Sequence, residues 1–186
     1  MEARIDALGR RISVLVERLR TIGYIFDRPD ETFPGPDPSV LDVIVRIESS
    51  VGELPLALKL FWTRIGSVDL TGSHPEWPEP SVYLDQLVVF PPEVAAYDLD
   101  DYLSGEPGPF EVVIAPDYFH KADVSGGSPY TASVPATEDN PLLNGTPSPQ
   151  TFLEHIENAL RFGGFPGLAD CPDHGWPLVE LVGADG

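Results

Sequence analysis

The chain has little cysteine and no long apolar run, and each shortage excludes a class of protein. Its 186 residues contain one cysteine, Cys171, so no disulfide can form within the chain. No apolar run approaches the ~20 residues that cross a bilayer, and charges interrupt the apolar residues that follow Arg4, Arg10 and Arg11. We therefore expect no membrane helix and no secretion signal, which fits a cytoplasmic protein.

Basic residues are also scarce, and they are unevenly placed. The chain has 11 Lys and Arg against 30 Asp and Glu, a net charge of −19. Between Ile65 and Leu160 there are 16 acidic residues and one basic residue, Lys121, whereas six basic residues lie in the first 28 positions. This pattern predicts an acidic body that repels nucleic acid and anionic membranes and attracts basic proteins. The alternative is that the charge serves solubility alone.

What is present at the N-terminus is an apolar stripe of period 3.5, which is typical of an amphipathic helix. The stripe consists of Ile5, Leu8, Ile12, Leu15, Leu19, Ile22 and Phe26. It predicts a helix within residues 1–28, either docked on the chain's own core or forming a homodimer through a coiled-coil seam. We interpret residues 1–28 as an N-terminal helical extension and residues 29–186 as one α+β domain.

The remaining elements are punctuated by proline and glycine. Helices are predicted over about 37–51, 54–64, 92–103 and 148–162, and strands over 67–70, 87–90, 110–115, 130–134 and 178–182. Ser148 is predicted to cap the last of these helices, with Pro149 at its first position. The order of elements predicts an α+β fold.

One stretch carries a family resemblance. A helix beginning near Val40, then Leu54-Pro55, a short helix containing Leu60-Phe61, and Gly66 before the first strand resemble the opening of the SUKH superfamily. Runs at 118–130 and 160–167 are also similar to segments of bacterial members, so the resemblance covers most of residues 37–168.

This superfamily includes fungal Smi/Knr-type cell-wall regulators and many bacterial immunity proteins. The resemblance implies a mixed sheet with packed helices, a protein-binding role and no shared catalytic mechanism. In many bacterial members that role is thought to be the neutralisation of a toxin, often a nuclease.

Two acidic segments that contain aromatic residues are the predicted partner-binding surface. The candidate residues are Glu76, Trp77 and Glu79 in a proline-rich loop, and Tyr97, Asp98, Asp100 and Asp101 further along the chain. An exposed Trp in an acidic rim is a plausible hot spot for a basic partner such as a toxin domain. The alternative is that Trp77 folds back on the core. We expect an immunity-type binding protein, with a housekeeping scaffold module as the alternative.

A second candidate region surrounds the lone lysine of the acidic stretch. Tyr118, His120, Lys121, Ser125 and Tyr130 lie close together in sequence. They predict either a structural clamp, in which Lys121 holds carboxylates, or a pocket for a small ligand. Neither catalytic residues, nor a metal site, nor a cofactor is predicted, because no ligand or nucleophile motif of the required spacing is present. The pair Cys171 and His174 lacks the further ligands that zinc needs.

Overall fold

The computed structural model of the chain describes residues 1–77, 84–105, 108–170 and 177–183. Within these ranges none of the helices combines the length and the apolar character that a membrane span requires. The architecture is α+β, as the sequence predicts, with helices surrounding short antiparallel strand pairs.

The helices of the described part are α1 Glu2–Thr21, α2 Val40–Val51, α3 Leu56–Arg64, α4 Pro92–Leu103, α5 Phe152–Arg161 and α6 Leu178–Val182. The strands are β1 Ile25–Phe26, β2 Val68–Asp69, β3 Gly72–Ser73, β4 Val88–Val89, β5 Phe110–Ala115 and β6 Tyr130–Val134. Short 3₁₀ turns occupy His120–Ala122 and Pro166–Asp170. The predicted bounds of α4, β5 and β6 are confirmed.

The strands form three separate antiparallel ladders instead of one mixed sheet. β1 pairs with β3, β2 with β4, and β5 with β6. The longest ladder places Phe110 opposite Val134 and Val113 opposite Thr131. The β2–β4 ladder adjoins it, because the backbone N–H of Phe90 donates to the carbonyl of Ile114 at 2.8 Å. Strands of two residues offer too few backbone partners to extend one continuous sheet.

Helix α1 is built into the hydrophobic core. Its buried side chains belong to the same apolar cluster as those of α2, α3 and α5, and Ile5, Ile12 and Leu19 are fully buried. The apolar stripe is therefore covered by the chain itself, which is the docked alternative of the two predicted. A coiled-coil dimer using this same stripe has no free apolar seam to use.

Two predicted elements differ in the structure. The run 178–182 was predicted as a strand and forms the short helix α6, which follows Pro177, a residue suited to a helix start. α5 begins at Phe152 and not near Ser148, because Thr151 caps it. The Thr151 hydroxyl accepts from the Glu154 backbone N–H while the Glu154 carboxylate accepts from the Thr151 N–H.

Candidate functional site

The outer face of α4 carries acidic and aromatic side chains at helical spacing. The helix starts with Pro92, whose missing N–H costs nothing in the first turn, and Leu99 anchors the opposite side in the core. Glu93, Tyr97 and Asp101 lie four residues apart and are all exposed. Tyr97 is 69% exposed, so this face places an aromatic ring between two carboxylates.

Helix α2 packs beside α4. Arg46 of α2 forms an ion pair with Asp100 of α4, which ties the two helices at their solvent side. α2 also exposes two large apolar side chains, Leu41 at 63% and Val45 at 62%. At helical spacing these two side chains lie roughly 100–140° round α2 from Arg46, so they project from a flank other than the one that meets α4.

A cleft of about 440 Å³ lies at the N-terminal end of α4. Its apolar walls include Pro34, Pro36, Pro38, Phe90, Pro91 and Pro92, and its carboxylates are Asp30, Glu31, Asp37, Asp69 and Glu93. Arg28 is the cation in this lining, and its guanidinium lies 3.6 Å from Glu31 and 3.5 Å from Asp69. Because carboxylates outnumber that single cation, the cleft is negative and continues the acidic face of α4 through Glu93.

A glycine fixes one wall of the cleft. Gly66 has φ +94°, and a Cβ at this position would lie 2.1 Å from the carbonyl oxygen of Gly35. The backbone of the proline-rich segment therefore lies directly against Gly66, an approach that only glycine permits. We name the combined surface of this cleft and the exposed side of α4 the acidic face.

Trp77 does not project from the surface. Its ring stacks on His74 with centroids 4.6 Å apart, and lies 5.6 Å from Tyr24 and 6.3 Å from Phe165. It is partly buried, which is the folded-back alternative that the sequence left open. An aromatic anchor that already packs on its own core is a weaker candidate for partner contact than Tyr97.

The other predicted contact residues differ in how exposed they are. Glu76, Asp100 and Asp101 are exposed, whereas Asp98 is half-buried on the side of α4. Glu79 lies outside the described residues. The sequence analysis did not select Glu93 or the carboxylates of the cleft. Glu93 could have been selected, because it follows Pro91-Pro92 at a helix start and lies four residues before Tyr97, on the same face of the helix.

Lys121 is held in a closed polar cluster. Its Nζ donates to Asp85 Oδ1 at 2.6 Å, its side chain is 0% exposed, and it lies 4.7 Å from the centre of the Tyr130 ring. Burial lowers the pKa of Lys121 and raises the pKa of Asp85, with their mutual attraction opposing both shifts. Asp85 adopts φ +51°, a conformation that Asp tolerates better than most residues. Lys121 thus pairs with one buried carboxylate, that of Asp85.

His155 extends the cluster inward. Its ring meets Tyr130 edge-on at 5.5 Å, its Nδ1 lies 3.4 Å from the Gln150 amide nitrogen, and its Nε2 has no hydrogen-bond partner among the described residues. Burial, and then the charge of Lys121, lower the pKa of His155 to about 3. The buried Tyr130 hydroxyl lies beside the Asp85 carboxylate without a well-formed hydrogen bond, and burial raises its pKa.

The outer rim of this cluster is held by Asp117. Its carboxylate pairs with His120 Nδ1 and accepts the Phe119 backbone N–H at 2.8 Å. Burial alone raises the pKa of Asp117, but these hydrogen bonds hold it below its ordinary value. A Cβ on Gly127 would lie 2.3 Å from Asp117 Oδ1, so the glycine-rich turn closes against this carboxylate.

The structure thus brings only part of the predicted loop group together. Lys121 and Tyr130 are in contact inside the cluster, and the half-buried Tyr118 ring packs on Phe119. His120 sits at the rim, and Ser125 is exposed to solvent.

Nothing in the described ranges marks a metal centre, since three or more His, Cys, Asp or Glu side chains do not converge there. Cys171 and His174 lie outside those ranges. Comparisons with protein-family models, curated proteins and solved structures found no match. Function is therefore inferred from the chain's own residues.

Proposed function

We propose that this chain is a non-catalytic protein-binding domain whose acidic face receives the basic surface of a partner protein. The observation that carries the proposal is the exposed stripe Glu93–Tyr97–Asp101, continuous with the acidic cleft at the start of α4. A single binding surface of this kind needs no cofactor and no nucleophile.

The charge balance supports a basic partner. The chain holds 30 acidic residues against 11 basic ones, so most carboxylates have no cation to pair with. Such a surface speeds the encounter with a positively charged protein and weakens with added salt. Nucleic acid and anionic membranes carry the wrong charge for this face.

Tyr97 is the expected anchor of the interface. Tyr buries a large ring at small cost in side-chain entropy and keeps a hydroxyl for hydrogen bonding, which explains why it is enriched among hot spots. The ion pair between Arg46 and Asp100 is solvent-exposed, with 48% and 60% of the side chains accessible, so on its own it adds little affinity.

The immunity-type function follows from the SUKH resemblance together with this face. The resemblance rests on Leu54-Pro55, Leu60-Phe61 and Gly66, and Gly66 has a defined structural role at the cleft. In this proposal the partner is a bacterial toxin, and where the toxin is a nuclease the carboxylates occupy the basic groove that otherwise holds phosphates.

The closed cluster around Lys121 favours this proposal over a small-ligand function. Lys121 is fully buried and paired with Asp85, so its ammonium is not presented to a ligand. Ser125 is exposed to solvent. In this proposal, Lys121 and Tyr130 of the predicted loop group stabilise the fold.

The proposal is tested by comparative capture from cells that express candidate toxins, including any encoded by a neighbouring gene. The full chain is immobilised as the wild type, as a face variant (Glu93→Gln, Tyr97→Ala and Asp101→Asn) and as a control variant. Captured proteins are identified by mass spectrometry, and protection is scored as growth of cells that co-express the toxin.

The control carries Glu138→Gln and Asp139→Asn, two exposed carboxylates that belong neither to α4 nor to the lining of the cleft. We expect the wild type and the control to capture the same basic protein and the face variant to lose it together with the growth protection. Equal capture by all three forms contradicts the acidic face as the contact surface.

A further inference from the structure

Three of the arginines that pair with no carboxylate of the described residues line one groove of this acidic molecule. Within the described residues, seven of the 11 basic side chains pair with carboxylates. The other four are Arg10, Arg11, Arg18 and Arg161. The first three line one groove, and Arg161 follows Leu160, which also lines it. The positive charge that the described carboxylates leave unpaired is therefore concentrated along this groove.

The carboxylates that act on the first two of these arginines are engaged elsewhere. Asp6 accepts two hydrogen bonds of 2.7 Å from Arg64, and Glu157 accepts two of 2.8 Å from Arg4. Such bidentate pairs hold both oxygens of a carboxylate. Arg10 and Arg11 are therefore attracted to these carboxylates only at a distance. Their N–H groups stay available to donate to an incoming anion.

The groove is long and has an apolar floor. It encloses about 680 Å³ between α1 and the end of α6, and its apolar lining is Val14, Leu15, Leu160, Leu181 and Val182. Val14 is 50% exposed. Arg18 donates to the Leu181 carbonyl at 2.7 Å, which fixes its guanidinium as a wall of the groove.

We propose that this arginine groove binds an acidic, amphipathic peptide segment of another protein. Arg10 and Arg18 lie eight residues apart on α1, roughly 12 Å along the helix, so positive charge is spread over the groove. A ligand with one anionic end, such as a fatty acid, uses only one end of that spread. A peptide with carboxylates on one side and leucines on the other matches both the rim and the floor.

This proposal is independent of the acidic face, because the two surfaces have opposite charge and share no residue. It also makes a demanding claim. A molecule of net charge −19 repels acidic peptides at a distance, so an acidic peptide binds only where a local site overcomes that repulsion.

The test measures binding of a fluorescein-labelled peptide made only of Glu and Leu, about 14 residues long, with Leu at helical spacing. Fluorescence anisotropy is recorded with the full chain at low salt. We expect saturable binding that is lost when every Glu of the peptide is replaced by Gln. The Arg10→Gln/Arg11→Gln variant is expected to bind about tenfold more weakly, as is Val14→Asp.

A control on the same helix is Arg20→Gln, which removes one positive charge where the double variant removes two; Arg20 pairs with Glu17 and does not line the groove. We expect it to bind within about twofold of the wild type. Failure of the wild type to bind, equal loss in Arg20→Gln, or unchanged binding by the double variant overturns the proposal. Displacement of the peptide by dodecanoate at lower concentration than by unlabelled peptide overturns it in favour of a lipid anion.

Discussion

At the residue scale, the buried pair of Lys121 and Asp85 is the most demanding feature of this chain. Both groups are removed from water, and among the described residues Lys121 donates to Asp85 and lies over the Tyr130 ring. Desolvation of two charges costs more than a surface pair recovers, so the arrangement is stable only while both partners are present.

Removing one partner should therefore destabilise the fold strongly. Lys121→Met leaves Asp85 buried without a cation, and we expect the free energy of unfolding to fall by about 3–5 kcal/mol. The double variant Lys121→Met/Asp85→Asn should recover part of the lost stability, because Asn tolerates the same backbone conformation as Asp and carries no charge. Urea denaturation measures both. The control is Lys59→Met, whose pair with Glu48 is partly exposed and whose loss should cost about 1 kcal/mol or less. Equal losses at both lysines contradict a special role for the buried pair.

His155 gives the chain a pH dependence with a definite sign. The pKa of His155 is about 3 in the folded chain and about 6.5 when unfolded. Between these values the unfolded state binds the extra proton, so stability decreases as pH falls from about 6.5 towards 3.

A variant isolates this contribution. His155→Gln removes the titrating group, and the slope of unfolding free energy against pH between 6 and 4 should become shallower by up to about 1.4 kcal/mol per pH unit. Carboxylates contribute equally to both proteins and cancel in the comparison. Parallel pH profiles for the wild type and the variant would show that His155 is accessible to protons when folded.

At the element scale, the start of α5 is set by its capping residue. The hydroxyl of Thr151 and the carboxylate of Glu154 satisfy backbone donors at the start of α5. Thr151→Ala should cost about 1 kcal/mol of stability, whereas Ser148→Ala, at the position that the sequence favoured as the cap, should cost nothing measurable. Thermal denaturation of the two variants decides which residue caps the helix, and a loss at Ser148 contradicts the structure.

Helix α1 offers a second matched pair of substitutions. Ile12 is fully buried and Val14 is half exposed, two residues apart on the same helix. Ile12→Ala should cost about 2–5 kcal/mol through the cavity it leaves, and Val14→Ala less than about 0.5 kcal/mol. Chemical denaturation measures the difference. A small effect at Ile12 would mean that α1 is a detachable extension and not part of the core.

Proline or glycine at the boundaries made some elements predictable from sequence, but not all of them. Pro92 opens α4, so its limits followed from local chemistry. The run Leu178–Val182 is too short and apolar for periodicity to separate strand from helix, and tertiary packing decides it. The predicted start of α5 was wrong because both Ser148-Pro149 and Thr151 are sequences that can begin a helix.

The candidate site was predictable only in its local parts. Lys121 stood out as the lone base of an acidic stretch, and its role as a clamp follows from that contrast. Its partner Asp85 is 36 residues away, a distance in sequence at which no pattern indicates contact. Trp77 likewise gave no local sign that Tyr24 and Phe165 cover it.

At the scale of the whole molecule, acidic residues outnumber basic ones by 30 to 11, and seven of the 11 basic side chains already pair with carboxylates in the described part of the chain. The surplus carboxylates therefore face solvent, and the acidic face and the arginine groove are two surfaces of opposite sign on one fold. Association with a basic partner should slow as salt is added, because salt screens the attraction between the two proteins. The screening length is about 10 Å near 0.1 M salt. Stopped-flow measurements at several salt concentrations check this, and a rate independent of salt contradicts electrostatic capture.

The most direct test of the acidic face is amide hydrogen exchange of the full chain alone and in complex with its captured partner. The account predicts added protection over residues 28–38 and over α4, with little change in the cluster around Lys121. Protection confined to residues 118–130, or to α1, would contradict it, because the partner would then contact a surface other than the one that carries Glu93, Tyr97 and Asp101.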